Sequence, residues 1–251
     1  MADADIHDAL KRSALPPLIP GIYNYCDHRC ERCPFSQRCL SYLARERAGD
    51  DEPGDVLTRI LRERQADALE PPEEVLDVIS EIAERAESMT SEELERLQWE
   101  DNARVERATV DRLVVAARRY TLSVWNVIRA LEPLVVERGD PLAIEAVETI
   151  AALASLVASK TYRAVSGSLD ADFNPSDLDS DANGSAKVAR LVAGESRRAW
   201  SVLTEIGRAA ADGVPAGLVR VLDEIDAGLA TRFPQAMSFV RPGFDTEGRS
   251  P

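Results

Sequence analysis

Histidine is scarce in this chain, and other patterns that catalytic proteins use are missing. The 251 residues include two histidines, His7 and His28, which leaves little for acid–base catalysis or a Ser-His pair. A di-iron carboxylate bundle needs Glu-x-x-His pairs, and neither histidine lies in the part of the sequence that reads as a bundle. No glycine-rich phosphate loop is present either. The balance of these absences is against an enzyme, with a redox enzyme as the last alternative.

The chain also lacks an excess of positive charge and a long apolar run. It has 44 acidic and 30 basic residues and a formal net charge of −14, which repels phosphates and argues against general nucleic-acid binding. Its longest apolar-leaning run, residues 149–162, is too short for a bilayer. No basic segment followed by an apolar stretch marks a signal peptide. We therefore expect a soluble, cytoplasmic protein that makes no membrane contact.

No alternating strand pattern is visible, and apolar residues recur at helical spacing. The sequence contains four long helical patterns, the second of which runs to about Ser166. They are separated by Gly139, by the pair Asp140 and Pro141, and by Gly213 and Pro215. Their apolar positions are Leu113, Ala117, Tyr120, Val124, Val127, Leu131 and Val135; Ile144, Val147, Ala151, Ala154 and Ala158; Val188, Leu191, Val192, Ala199, Val202, Leu203 and Ile206; Leu218, Leu222, Ile225 and Leu229. The sequence predicts an all-α fold, a bundle of about four long helices with smaller helices and an N-terminal cysteine-rich metal-binding loop.

Turn signals divide the chain into three parts. Residues 1–50 hold the cysteine loop and a short helix that we expect to begin at Pro34, residues 51–100 form connecting helices, and residues 101–251 form the bundle and an apolar tail. Within the connecting part, Thr90 or Ser91 is expected to cap a helix. The tail is too apolar to extend freely into solvent, so we expect it to lie across the domain, where it could cover the cysteine loop.

All the cysteines of the chain, Cys26, Cys30, Cys33 and Cys39, lie in one short stretch with the spacing C-x3-C-x2-C-x5-C. A metal centre is the group that gains from four converging thiolates, so we interpret the four residues as metal ligands. Two disulfides are an alternative that a reducing cytoplasm disfavours, and unrelated core cysteines are another.

The spacing favours an iron–sulfur cluster over zinc. Structural zinc sites usually draw two CxxC knuckles from separate turns, whereas the first three cysteines here form one tight run, with Pro34 directly after the third. Arg29, Arg32 and Arg38 would offset the negative charge of a tetrathiolate centre, although this argument fits zinc equally well. We expect a [4Fe-4S] cluster, with Zn as the alternative and His28 outside the ligand set.

Two family resemblances meet at these residues. The triad Cys26-x3-Cys30-x2-Cys33 matches radical S-adenosylmethionine enzymes in spacing alone, but Arg32, the fourth cysteine and the helical body exclude that family. The stretch CERCPFSQRCLSYLAR resembles the C-x2-C-P-x4-C-L segment of WhiB-like iron–sulfur proteins, which implies cluster ligands at Cys30, Cys33 and Cys39. The loop, the helical body and the FVRPGFD ending together resemble bacterial helical proteins with the same cysteine loop, and this resemblance implies no activity.

Two functional hypotheses follow. In the first, a cytoplasmic helical protein carries a four-cysteine [4Fe-4S] cluster for electron transfer or for redox or oxygen sensing. In the second, zinc stabilises a non-enzymatic interaction module whose helical surface meets a protein partner. The sequence does not identify that partner.

Overall fold

The computed structural model describes residues 16–47, 85, 88–206 and 214–245, and none of these residues lies in a strand. The predicted connecting helices over 51–84 and the predicted helix end at Gly213 lie outside the described residues. Within the described ranges, the α-helices are α1 (Leu40–Arg47), α2 (Ser91–Val110), α3 (Arg112–Arg138), α4 (Pro141–Gly167), α5 (Asp181–Ile206) and α6 (Val214–Arg232). The all-α prediction is confirmed.

The chain divides into two compact units. The first consists of Met1–Asn24, His28–Trp99 and Pro242–Pro251, and the second of Tyr25–Asp27 and Glu100–Arg241. Contacts in space define these units, and the chain enters each of them more than once. The three parts expected from turn signals stay a prediction.

The second unit is the predicted bundle of four long helices. Helix α3 packs against α4 and α6, and α5 packs against the same two helices, so the four form a closed ring around one core. Trp200 and Tyr120 are fully buried there, and the Trp200 indole donates a hydrogen bond to the Tyr120 hydroxyl at 3.1 Å. The apolar stripe of α6 is buried along its whole length, at Leu218, Leu222, Ile225 and Leu229.

Short caps set the helix boundaries in the bundle. Gly139 ends α3 with φ 64°, and the Asp140 carboxylate accepts from the Leu142 amide at 3.0 Å where α4 begins at Pro141, as predicted. The sequence pattern did not reveal the break between α2 and α3 at Asp111. This residue caps α3 by accepting from the Leu113 amide at 2.9 Å, and no glycine or proline marks the position.

Helix α4 is buried on more sides than its predicted stripe suggested. Of the stripe, Ala151 and Ala158 are only half-buried, while Ile150, Leu153 and Val157 are fully buried, because both α3 and α5 pack against this helix. Helix α4 is also the one described helix long and apolar enough to cross a membrane, with half of its apolar window buried. Core helices of helical bundles share this property.

In the first unit, the predicted helix start at Pro34 is wrong. Pro34 lies in a turn, a 3₁₀ turn follows at Ser36–Arg38, and α1 begins only at Leu40. The Arg38 carbonyl accepts from the Ile19 amide at 2.9 Å, and the Arg38 guanidinium donates to the Pro17 carbonyl at 3.0 Å. A helix starting at Pro34 would need the Arg38 carbonyl for its own hydrogen bonds, so the bond from the Ile19 amide displaces the helix start.

The first unit also contains the capping box predicted for α2. The Thr90 hydroxyl accepts from the Glu93 amide at 3.2 Å, and the Glu93 carboxylate accepts from the Thr90 amide at 2.8 Å. The bond from the Thr90 amide, and then a bond of 3.0 Å that the Thr90 hydroxyl donates to the same carboxylate, lower the pKa of Glu93. The prediction that Thr90 or Ser91 caps the helix is therefore confirmed, with Thr90 in that role.

Candidate metal centre

Three of the four cysteines are placed by a series of tight turns in the first unit. Cys30 begins a 3₁₀ turn that ends when the Cys33 amide donates to the Cys30 carbonyl at 3.2 Å. The Ser36 amide then donates to the Cys33 carbonyl at 3.3 Å, and the Cys39 amide donates to the Ser36 carbonyl at 3.2 Å. Each such turn brings the α-carbons at its ends within about 7 Å. The backbone between Cys30 and Cys39 is therefore compact without being helical.

Cys39 lies in the small apolar core of this unit. Its side chain is 8% exposed and clusters with Ile19 and Ile22, against which Phe35 and Phe244 also pack. Its carbonyl accepts from the Leu43 amide at 3.0 Å, and Cys39 lies immediately before the first residue of α1. A thiol in these surroundings is protected from water, which suits either a ligand to a shielded metal centre or an apolar core residue.

The C-terminal tail contributes to both units. In the first, Phe244 meets Phe35 edge to face at 5.2 Å, and Gly243, at φ 79°, lies so close to Ile22 that a Cβ would come within 2.9 Å of it. In the second, Phe239 is buried. Part of the tail therefore packs on the residues that surround Cys39, and part packs on the bundle.

Cys26 is grouped with the bundle, together with its neighbours Tyr25 and Asp27. The Tyr25 hydroxyl donates to the Asp181 carboxylate at 2.9 Å, and the Tyr25 and Phe239 rings pack at an angle of 52° with centroids 4.7 Å apart. Gly184 permits this packing, since a Cβ there would lie 2.5 Å from the Tyr25 ring. The pKa of Tyr25 is raised to about 12, first because the side chain is partly buried and second because its hydroxyl bonds to Asp181.

Cationic side chains bind the two residues, Asp181 and Phe239, that Tyr25 contacts. Arg163 donates to both oxygens of the Asp181 carboxylate at 2.7 Å, and the buried Lys187 ammonium donates to the Phe239 carbonyl at 2.6 Å. Lys160 is 6% exposed, and its pKa is lowered by burial and by Arg163, while Cys26 and Asp181 act in the opposite direction. Lys160 therefore lies within electrostatic range of Cys26, and a nearby cation stabilises a thiolate.

The arginines and the histidine of the cysteine segment have different environments. Arg29 is buried and Arg32 is exposed, while Arg38 is held by its bond to Pro17. His28 is exposed at φ 57°, with its Nε2 atom 3.3 Å from the Tyr23 carbonyl. Of the three predicted counter-charges, Arg29 is thus the one that is buried.

The thiols themselves are not arranged as a complete site. All four cysteines are free thiols; Cys26, Cys30 and Cys33 are half-buried. Within the described ranges, no group of three or more His, Cys, Asp or Glu side chains is gathered closely enough to hold a metal ion. The four-cysteine ligand set and its metal therefore remain predictions from the sequence.

Sequence reasoning missed the polar character of the start of α5. Residues 182–189 are all buried, although they include Asn183, Ser185 and Lys187. The side-chain Nδ2 of Asn183 donates to the Asp177 carbonyl at 2.6 Å, which ties the preceding loop to the helix. The available signal was the run Asn183-Gly184-Ser185 at the start of a long apolar pattern, where small residues indicate close packing.

Comparisons of this chain with protein-family models, with curated proteins and with solved structures give no match. The resemblance of the cysteine stretch to WhiB-like proteins therefore stays a prediction.

Proposed function

We propose that Cys26, Cys30, Cys33 and Cys39 bind a metal centre, and that this centre is a [4Fe-4S] cluster used for electron transfer or for redox or oxygen sensing. One observation carries the proposal: a chain of 251 residues has four cysteines, and all four lie between positions 26 and 39. Unrelated core cysteines have no reason to cluster in this way, whereas metal ligands must.

The surroundings of the cysteines support a negatively charged centre. Lys160, within range of Cys26, and Arg29, beside Cys30 in the chain, supply buried or nearly buried positive charge. The apolar neighbours of Cys39 would limit water access to that ligand. Compensating positive charge and the exclusion of water set the reduction potential and the lifetime of a cluster.

Binding would require the thiols to converge on the metal. Ligand sets seldom exist before the metal arrives, and the binding free energy then becomes folding free energy. The segment from Cys30 to Cys39 can adapt, because single hydrogen bonds close its successive turns and no continuous helix restrains it. Metal loading should therefore rigidify this segment.

A cluster with four protein ligands has no open iron for a substrate. Its chemistry is then limited to gaining and losing one electron, or to losing the cluster when oxygen attacks it. Both outcomes fit a protein that lacks histidine pairs and a phosphate-binding loop.

The second candidate is a zinc-stabilised interaction module. The observation that favours it is the small size of the apolar clusters that the described residues of the first unit form, one around Ile19, Ile22 and Cys39 and one around Leu43. Cores of this size rarely hold a segment on their own, and structural zinc supplies the missing stability. In this case the helical surface, and not the metal, would meet a protein partner.

The test is to purify the full chain without oxygen and to measure iron, sulfide and zinc together with the visible spectrum. We expect a brown protein with close to four irons and four sulfides per chain. A colourless protein with one zinc would replace the first candidate by the second, and a chain without either metal would reject both.

Two variants identify the ligands. Cys39→Ser should abolish or strongly reduce the metal content, because serine is a poor ligand for either metal. The matched control is His28→Asn, which keeps a residue that tolerates the positive φ and removes the imidazole. Unchanged metal in Cys39→Ser, or lost metal in His28→Asn with the fold intact, would show that the ligand set is wrong.

A further inference from the structure

Helix α2 presents a stripe of acidic and apolar side chains to solvent. The stripe consists of Glu92, Glu95, Trp99, Glu106 and Val110, which recur at spacings that place them on one side of an α-helix. Trp99 and Val110 are 71% and 74% exposed. Single exposed apolar residues are ordinary, but two large ones aligned on one helix side between carboxylates form a surface suited to a partner.

Helix α3 presents the complementary stripe. Its outward side carries Arg112, Arg119 and Arg129, with Val115 and Leu122 between them, and the apolar pair is 50% and 69% exposed. Val136 continues the stripe and is 64% exposed. Within the described part of the chain, no carboxylate pairs with any of these three arginines.

The charges of the two helices are opposite. Helix α2 carries six carboxylates and three arginines, whereas α3 carries five arginines and two glutamates in a chain whose net charge is −14. We propose that two copies of this chain associate with two-fold symmetry, α2 of each copy lying along α3 of the other. This interface is independent of the proposed metal centre.

The available surface is sufficient for a weak but specific dimer. A helix as long as α2 spans about 30 Å, and with a width of about 10 Å its contact with a partner covers roughly 300 Å² on each side. Two-fold symmetry repeats the contact, so the dimer would bury roughly 1,200 Å², the lower end of the range for specific interfaces. Such a dimer should dissociate on dilution and weaken as salt screens the charges.

The experiment compares two charge-reversed variants of the full chain by size-exclusion chromatography with light scattering. One variant carries Arg112→Glu, Arg119→Glu and Arg129→Glu, and the other carries Glu92→Arg, Glu95→Arg and Glu106→Arg. At high protein concentration and low salt, the wild type should elute at twice the 27.5 kDa mass of the chain, and each variant alone as a monomer. An equal mixture of the variants should again form a dimer, because each acidic helix then faces a basic one in both contacts.

Controls separate loss of the interface from loss of the fold. Arg198→Glu with Arg220→Glu reverses two exposed arginines on α5 and α6 and should leave the dimer intact. The exposed-residue variants Trp99→Ala and Leu122→Ala should retain the wild-type helix content by circular dichroism and raise the dimer Kd by about tenfold or more. A monomeric wild type, a variant that dimerises alone, or a mixture that stays monomeric would overturn the proposal.

Discussion

The bundle and the cysteine segment are stabilised by different means. In the bundle, α3 to α6 enclose one continuous apolar core that includes fully buried Trp200, Tyr120 and Phe233. In the first unit, the described residues form two small clusters, around Ile22 and Leu43, linked by turns with single backbone hydrogen bonds. Burial of apolar area contributes about 25 cal/mol per Å², so among the described residues the bundle core contributes more stability than these two clusters.

This difference explains where a metal would matter. A four-helix core of this kind does not need a metal to fold, whereas a short segment with few buried apolar side chains gains substantially from one. Cys26 differs from the other three cysteines, because its neighbour Tyr25 packs on the bundle through Asp181 and Phe239. The ligands of the proposed centre are thus supported by cores of very different size.

The largest effect on stability should come from replacing one buried leucine by alanine, first in the bundle core and then in the small cluster around Leu43. Leu222→Ala, at a fully buried position of α6, should lower the free energy of unfolding by about 3–5 kcal/mol, since a closed bundle cannot collapse around the cavity. Leu43→Ala, in the small cluster, should cost about 2 kcal/mol and raise amide hydrogen exchange mainly in residues 16–47.

Leu142→Ala is the control for both truncations, because Leu142 is 64% exposed, and it should change stability by less than about 0.5 kcal/mol. Denaturant unfolding with hydrogen exchange measures all three variants. Equal costs for Leu222→Ala and Leu43→Ala, with exchange raised throughout the chain in both, would contradict the division into a large and a small core.

An intermediate effect is expected where the segment containing Cys26 meets the bundle. Gly184→Ala places a methyl group 2.5 Å from the Tyr25 ring and 2.7 Å from the Phe239 ring, so one of the rings must move, at about 1–3 kcal/mol. Gly217→Ala is the matched helical control, since nothing lies within 4 Å of its Cβ, and it should stabilise by about 0.5–1 kcal/mol. Thermal unfolding compares them, and equal shifts would refute the close packing at Gly184.

The smallest effect concerns pH. Because the folded pKa of Tyr25 is raised from 10.0 to about 12, the stability that its protonated form contributes is fully present below pH 10 and is lost as the pH rises through 12. Tyr25→Phe should remove the tyrosinate absorbance step near pH 12 and flatten the fall in stability between pH 10 and 12. A tyrosine titration unchanged by this substitution would show that Tyr25 is not the group that titrates there.

Much of the bundle could be predicted because its signals are local. The positions Leu218, Leu222, Ile225 and Leu229 follow the period of one helix face, and Gly139 with Asp140 ends one helix and caps the next. The start of α1 could not be predicted in this way, because the Arg38 carbonyl is taken by Ile19, a residue far back along the chain. A long-range hydrogen bond of this kind leaves no trace in local periodicity.

The candidate site was predictable only as a set of residue types. Spacing alone singled out Cys26, Cys30, Cys33 and Cys39, because cysteines are few in this chain and crowded in one segment. Lys160 could not be connected with them, since it lies in the middle of an apolar helix pattern more than a hundred residues later. Its burial follows from the packing of α4 between α3 and α5.

The sequence by itself determined the helical class, the boundaries set by Gly139 and Pro141, and the four thiols, because period, caps and composition act over a few residues. Tertiary structure alone decided that Cys26 belongs with the bundle while Cys30, Cys33 and Cys39 belong with the first unit. It also decided that Asn183, Ser185 and Lys187 at the start of α5 are buried, and which sides of α2 and α3 are exposed. These features depend on contacts between residues that are distant in the chain, where local propensity carries no information.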